Sequence, residues 1–465
     1  KREKCARTAH RGTFLTQSFR VVLITLKTEF LEPPFSQSAI NSYLCRAIVG
    51  FGEPNKTQHK MKRLLTIICL VLLPLLALAQ QNSTDNTAPA EKDSVVVSLL
   101  TCTPGNLVYE LYGHTAIRVR EVGARQSDWV FNYGTFSFNQ PHFMWRFMLG
   151  ETDYELGVVP YYLFYESYVR EGRGIDEQVL NLTPAEAKKL VDALSKNLEP
   201  ENATYRYNFF YDNCVTRALR VIEQSVDGQV VWPKADANKS LRDMVHEFSE
   251  PSPWNKFGQD LLLGAEADQA ADINKQQFAP MYAERFVNDA TIKGTDGKVR
   301  HLAAPSRTLL PEQPVLAEKN FPVTPMWAFG ILLALTIAIS AADIGRKKYH
   351  WQYDVLLFVA QGLTGCIITF LLLFSSHPAV GSNWLALLFN PVPLVLFPWF
   401  MKAAANGCRS WVMYIQIAMV VMALIVGIAG LQHFPNEVYI IASILLVRVA
   451  THFCMTSKIK QQKVS

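Results

Sequence analysis

Tyr207-Asn208-Phe209-Phe210-Tyr211-Asp212-Asn213-Cys214-Val215-Thr216-Arg217 is the stretch on which the reading turns. Aromatic residues run into Asp212-Asn213, and then apolar residues recur at helical spacing, with Val215, Leu219 and Ile222 on one face. The pattern predicts a buried aromatic strand at 205–211 and a helix over 214–225. Asp212 or Asn213 caps that helix. Cys214 then stands at the helix N-terminus, where free N–H groups and the helix dipole favour a thiolate. Arg217, one turn on, adds a positive charge. Such surroundings suit an activated nucleophile better than a core thiol.

A thiol nucleophile needs a base. Residues 80–323 contain four histidines, His114, His142, His246 and His301. His114 is the best placed, in Leu111-Tyr112-Gly113-His114-Thr115-Ala116-Ile117-Arg118-Val119, where Gly113 leaves room beside the ring. The spacing predicts strands at 111–119 and 129–136 joined by a turn containing Gly123. That hairpin brings Asn132 or Tyr133 opposite His114. Asn132 then orients the imidazole as the third member of a Cys214–His114–Asn132 set. Two other readings stay open: His114 as a satisfied core histidine, and Cys102–Cys214, the two cysteines within 80–323, as a structural disulfide.

Around this centre, 95–100 reads as a buried strand. Thr183, Pro184 and Glu186 open a helix at 184–198 with a capping box. The arrangement is α+β. Between 131 and 168, 13 of 38 residues are aromatic. They form either ordinary core with an aromatic loop, or an acyl-chain groove or membrane-facing lip. Residues 226–323 read as helical and polar, with no assigned chemistry.

The rest of the chain concerns a membrane. Of 465 residues 49% are hydrophobic and 18% charged, which excludes a disordered chain. Residues 80–323 carry 24 basic and 33 acidic side chains, and 324–465 carry 9 and 3, so no basic nucleic-acid domain is present. Hydropathy predicts five spans, at 325–343, 353–374, 384–400, 411–431 and 437–454. Lys and Arg follow spans 1, 3 and 5 and are absent from the loops after spans 2 and 4. The alternation puts 80–323 outside and the C-terminus in the cytoplasm. Asn390-Pro391 and Pro393 break span 3. Arg448 and His452 share one face of span 5, either as functional groups or snorkelling to the interface. Upstream, Met61-Lys62-Arg63, the apolar run 64–76 and Ala77-Leu78-Ala79 read as a signal peptide over 61–79. Residues 1–60 read as a non-native upstream extension, the alternative being a cytosolic extension with 64–79 as an uncleaved anchor.

A Gly-His on an early strand, followed about a hundred residues later by Asn-Cys opening a helix, resembles the circularly permuted papain-like enzymes of the NlpC type, which include lecithin–retinol acyltransferase. The segments 100–105, 113–119, 130–136 and 207–214, together with the multi-span C-terminal region, resemble the Bacteroidota lipoprotein N-acyltransferase (Lnb) family over roughly 94–465. The resemblance implies a Cys-His acyl-transfer centre in a circularly permuted papain-like thiol domain, followed by a five-helix transmembrane bundle. The third member of the centre is not fixed by the motif. The expected activity moves an acyl chain from a phospholipid donor, through a Cys214 thioester, to the N-terminal amine of a diacylated lipoprotein. It takes place at the periplasmic face of the inner membrane and requires no metal or organic cofactor. The alternative is a membrane-anchored cell-wall peptidase or amidase of the same permuted fold. A third reading is a non-enzymatic scaffold.

Overall fold

The computed structural model describes residues 94–462 apart from 108, 124–125, 137–140 and 314–320. The readings of 1–60, 61–79 and the lead-in at 80–93 lie outside the described residues. Alternating apolar side chains build the hairpin strands β1 (Ser94–Cys102), β2 (His114–Val122) and β3 (Ser127–Thr135). β4 (Asp153–Pro160), β5 (Ile175–Val179), β6 (Thr204–Arg206) and, far along the chain, β10 (Arg307–Leu310) complete the main sheet. Among the described residues its order is β10-β5-β1-β2-β3-β4-β6, and every pair is antiparallel.

Four helices flank it. α1 (Phe143–Leu149) leads into β4, and α2 (Tyr161–Glu171) leads out of it. α3 (Pro184–Asn197) starts on the expected capping box, with Thr183 and Glu186 each accepting the other's backbone N–H. α4 (Cys214–Ser225) follows β6. One sheet face carries Leu99, Ile117, Phe131 and Tyr133 against Leu190 and Leu194 of α3 and Val215, Leu219 and Ile222 of α4. The other carries Leu100, Ala116 and Val130 against Phe164 and Tyr168 of α2. The α+β expectation holds.

Three local expectations need correction. β2 begins at His114 rather than 111, because the Gly113 N–H closes a turn on the Glu110 carbonyl. The aromatic strand stops at Arg206; beyond it the Asn208 side chain accepts from the Phe210 and Tyr211 N–H groups and bends the chain into a turn. Residues 226–323 are not all helical. Besides α5 (Leu241–Ser249), α6 (Pro253–Leu262) and α7 (Pro280–Asp289), they form a small sheet of β7 (Gly228–Val231), β8 (Thr291–Gly294) and β9 (Val299–His301). Those strands are too short for a periodic signal.

The membrane half comprises α8 (Pro325–Arg346), α9 (Trp351–Phe374), α10 (Val392–Ala405), α11 (Val412–Ile428) and α12 (Asn436–Gln462). Among the described residues four segments are long and apolar enough to span: Pro325–Arg346, Trp351–Phe374, Trp384–Ala405 and Asn436–Thr456. α11 is apolar but shorter. Span 3 is broken where Asn390 and Pro391 predict: a short turn at Trp384–Leu387 precedes α10. The Gln361 amide donates to the freed Leu388 carbonyl at 2.6 Å, and Gln416 supports Gln361 at 2.8 Å. A polar relay thereby satisfies backbone that hydrocarbon would leave unpaired.

Gly365 lets α9 meet this break. A Cβ there would lie 2.3–2.5 Å from Asn390 backbone atoms, which cannot swing aside. Gly365→Leu is expected to destabilise the protein by about 1–3 kcal/mol or more, as overpacked cores do. The check is a thermal melt in detergent; an unchanged midpoint would remove this close approach from the account.

Arg448 is 2% exposed and His452 0%, so neither snorkels. The guanidinium bonds both Asp354 oxygens on α9, at 2.5 and 3.0 Å, and Asp343 and Ser340 on α8, each at 3.0 Å. His452 Nε2 accepts the Ser410 N–H at 2.9 Å. Both residues tie helices together.

The loops after spans 2 and 4 meet the outer domain. The Ser376 N–H donates to the Leu149 carbonyl at 2.9 Å, Gly264 N–H to Ala379 at 2.8 Å, and Gln432 Nε2 to Leu263 at 3.0 Å. These are the two loops without Lys or Arg, so the docking agrees with the side that charge placement assigns them.

Candidate active site

Asn213, not Asp212, caps α4. Its Oδ1 accepts from Val215 N–H at 2.9 Å and Thr216 N–H at 3.0 Å, while Thr216 Oγ1 accepts the Asn213 N–H at 2.9 Å. Its amide group is in turn fixed on the Phe209 and Phe278 carbonyls, each at 2.8 Å. The cap consumes two of the orphan donors of the helix terminus. It leaves the N–H of Cys214 itself, the first helical residue, pointing out of the helix end.

Asp212 has another role. It takes Arg217 in a two-pronged pair at 2.9 and 2.7 Å, and Arg217 lies over the Tyr205 ring at 3.7 Å. The positive charge expected beside the thiol is therefore neutralised by Asp212 and spent on a phenol face. Burial instead pushes the Cys214 thiol up, and the nearby backbone N–H groups of Thr115, Val215 and Cys214 oppose that rise.

Thr115, whose N–H lies near the sulfur, directly follows His114. His114 opens β2 behind Gly113, whose φ is +82° and whose absent Cβ would stand 2.4 Å from the Cys102 carbonyl. Glycine is thus required by backbone conformation and close approach, not by room for the ring. His114 Nε2 lies 3.1 Å from Asn132 Oδ1, and Asn132 Nδ2 faces the Val130 carbonyl at 3.4 Å. That orientation makes Nε2–H the donor and leaves the Nδ1 lone pair free. Burial lowers the imidazole to about 4, with the Asn132 bond opposing and Arg173 assisting, so the ring is neutral at neutral pH.

Asn132 is not directly opposite His114. The β2–β3 register pairs Ile117 with Phe131. Continued by one step it sets Asn132 across from Ala116, diagonal to His114 on the same face. The Tyr133 hydroxyl accepts from Asn197 Nδ2 at 2.8 Å, and among the described residues no hydrogen bond joins it to the imidazole. Among the described residues no hydrogen bond joins imidazole to thiol; such contacts commonly tighten only with substrate bound.

Cys102 is paired in register with His114, is fully buried, and has its thiol pushed up to about 12 chiefly by that burial. Both Cys102 and Cys214 are free, so the disulfide alternative does not describe this structure. His142 precedes α1 in a left-handed conformation, His246 bonds Asp260 at 2.8 Å, and His301 ends β9. None of these three is joined to Cys214 by a hydrogen bond.

Gly134 was missed by the motif reasoning. It sits in a bulge of β3, with φ +89°, and a Cβ there would stand 3.7 Å from Cys214 Cβ. A glycine inside an otherwise regular strand is the signal that points to such an approach.

The aromatic strip is placed between membrane and thiol. On α1, Trp145 is 54% exposed and stacks near Phe370 of α9 at 4.8 Å, and Phe147 is 43% exposed. From there Phe147, Phe143, Phe136, Tyr154 and Tyr207 succeed one another at centroid spacings of 6.2, 5.5, 4.8 and 4.1 Å. Tyr154 reaches the Gly134 bulge beside Cys214. One end of the strip packs in the core and the other is exposed beside α9.

Two family models match the chain. The Lnb N-terminal periplasmic domain covers residues 81–244, and the Lnb transmembrane domain covers 317–460. Comparison with curated proteins and with solved structures gives no match. The apolar helices and the periplasmic-domain match together describe a multi-pass membrane protein with a periplasmic N-terminal domain. With one model on each side of the outer-domain and membrane boundary, the chain belongs to the Lnb family.

Proposed function

We propose that this protein is a lipoprotein N-acyltransferase of the inner membrane, working through a Cys214 thioester on a circularly permuted papain-like outer domain. The observation that carries the reading is the junction at β2 and α4: a helix-terminal thiol near the Thr115 N–H, next in sequence to a neutral imidazole held by Asn132. Family membership and the aromatic row leading from the membrane-docked α1 support it.

In this mechanism the Nδ1 lone pair of His114 takes the thiol proton. Sulfur attacks the carbonyl carbon of a phospholipid acyl ester, and the developing oxyanion accepts from the Cys214 N–H. The ester C–O bond breaks, and the lysophospholipid oxygen leaves with the proton from His114. The neutral N-terminal amine of a diacylated lipoprotein then attacks the thioester. His114 receives the amine proton and returns it to the departing sulfur. Splitting the transfer at a thioester lets two bulky lipids use one site in turn.

Purified protein incubated with a defined phospholipid and no amine acceptor is expected to gain the mass of that lipid's acyl chain. The adduct should be lost on treatment with neutral hydroxylamine and absent in Cys214→Ser. Adding a diacylated lipoprotein should transfer the chain to its N-terminal peptide. No adduct with any phospholipid, together with cleavage of cell-wall peptides, would replace this reading with the peptidase one.

A further inference from the structure

Among the described residues Tyr205 carries a buried hydroxyl with nothing to donate to. The residue lies on β6, is 6% exposed, and its Oη makes no hydrogen bond to any of them. Its position is specific. The missing Cβ of Gly134 would stand 3.7 Å from Cys214 Cβ and 3.9 Å from Tyr205 Oη, so thiol carbon and phenol oxygen flank the same point of the β3 bulge. Over the Tyr205 ring sits the Arg217 guanidinium, fixed there by Asp212. A cation over the ring face draws electron density from the phenol and sharpens its O–H as a donor.

A buried donor left unpaired costs free energy in the resting state. Orphaned groups of this kind concentrate where charge develops during a reaction. We propose that the Tyr205 O–H is the donor that receives the sulfur anion of Cys214 once its proton has gone to His114, and that Arg217 acts through Tyr205 rather than on the thiol. The assignment rests on the reading of Cys214 as the nucleophile. Proton accounting is simple: the S–H bond breaks, that proton moves to His114, and Tyr205 keeps its own proton while its O–H turns toward sulfur.

The resting site shows why such a donor is needed. Burial raises the thiol and lowers the imidazole, so both begin neutral and their ion pair is disfavoured. The titratable groups that interact with Cys214 from other elements are Cys102 on β1, Tyr154 on β4, Tyr205 on β6, and Tyr207 after it; burial raises the three tyrosines and Cys102, keeping them uncharged. Arg217 and Asp212 on its own side neutralise each other. Backbone N–H groups lie near the sulfur, and Tyr205 supplies a donor from a side chain.

The test is Tyr205→Phe in the full-length protein in detergent. Iodoacetamide alkylation of Cys214 is followed on its own peptide by mass spectrometry across neutral to alkaline pH, alongside the melting temperature. The apparent thiol pKa is expected to rise by about one unit, slowing alkylation near neutral pH about tenfold. The melting temperature should not fall, because the hydroxyl holds no hydrogen bond in the resting protein. Arg217→Gln should move the profile the same way by less, and it carries the test should Tyr205→Phe not fold. A Tyr205→Phe profile superimposable on wild type would overturn the proposal. So would a lowered melting temperature with an unshifted profile, which marks a structural hydroxyl. A shifted profile in a protein that forms no acyl adduct would instead overturn the acyl-transfer reading and leave the Tyr205 assignment standing.

Discussion

Cys214→Ala is expected to abolish acyl transfer, with a loss on the order of 10⁴–10⁶ in rate while the protein still folds and inserts. The side chain is half-buried at the start of α4, and the cap that holds the helix belongs to Asn213. His114→Ala should lose a comparable factor, because members of a cooperating pair are far from additive. Asn132→Ala should cost less than either, since it frees the ring to rotate without removing the base. Cys102→Ala separates this arrangement from one that uses the other thiol: a group pushed up to about 12 supplies no thiolate at neutral pH, so activity should persist. Transfer to lipoprotein, read from the mass of its N-terminal peptide, is the measurement. Full activity in Cys214→Ala, or loss in Cys102→Ala with the fold intact, would relocate the nucleophile.

The second large effect lies far from the thiol. Arg448→Met is expected to destabilise the membrane half by about 3–5 kcal/mol, because Asp354 would remain buried without its counter-ion and Asp343 would keep only His350. Combining it with Asp343→Asn and Asp354→Asn should recover much of the loss, since the penalty comes from uncompensated charge rather than from the missing pair. Melting temperatures in detergent test both statements. An Arg448→Met protein that melts as the wild type does would show that the network bears no load.

The residues that were legible in advance are those whose structure is settled within a turn or a strand pair. The Thr183–Glu186 capping box depends on two side chains three residues apart, and it forms as read. The helix beginning at Cys214 follows from its apolar spacing and an Asn cap, and the spans follow from uninterrupted hydropathy. His114 and Asn132 were found because a hairpin with a short turn forces its two strands into register, even though the pairing is diagonal rather than direct.

Long-range partners were not legible. Sequence spacing put Arg217 beside the thiol; the folded chain turns it to Asp212 and onto the Tyr205 ring, because a guanidinium gains more from a carboxylate and a π face than from a buried neutral sulfur. Arg448 and His452 looked free to snorkel because their partners, on α8, on α9 and in the loop before α11, lie 42 to 108 residues away in the chain. The orphaned Tyr205 hydroxyl and the Gly134 bulge exist only once β3, β6 and α4 are packed together. Local hydrogen bonding and hydropathy, which act between neighbours, therefore determined the elements, the place of Cys214 at a helix start and the membrane topology. Which charges are neutralised, and which donor is left waiting beside Cys214, was decided by tertiary packing alone, because desolvation and ion pairing depend on what the fold brings within a few ångströms.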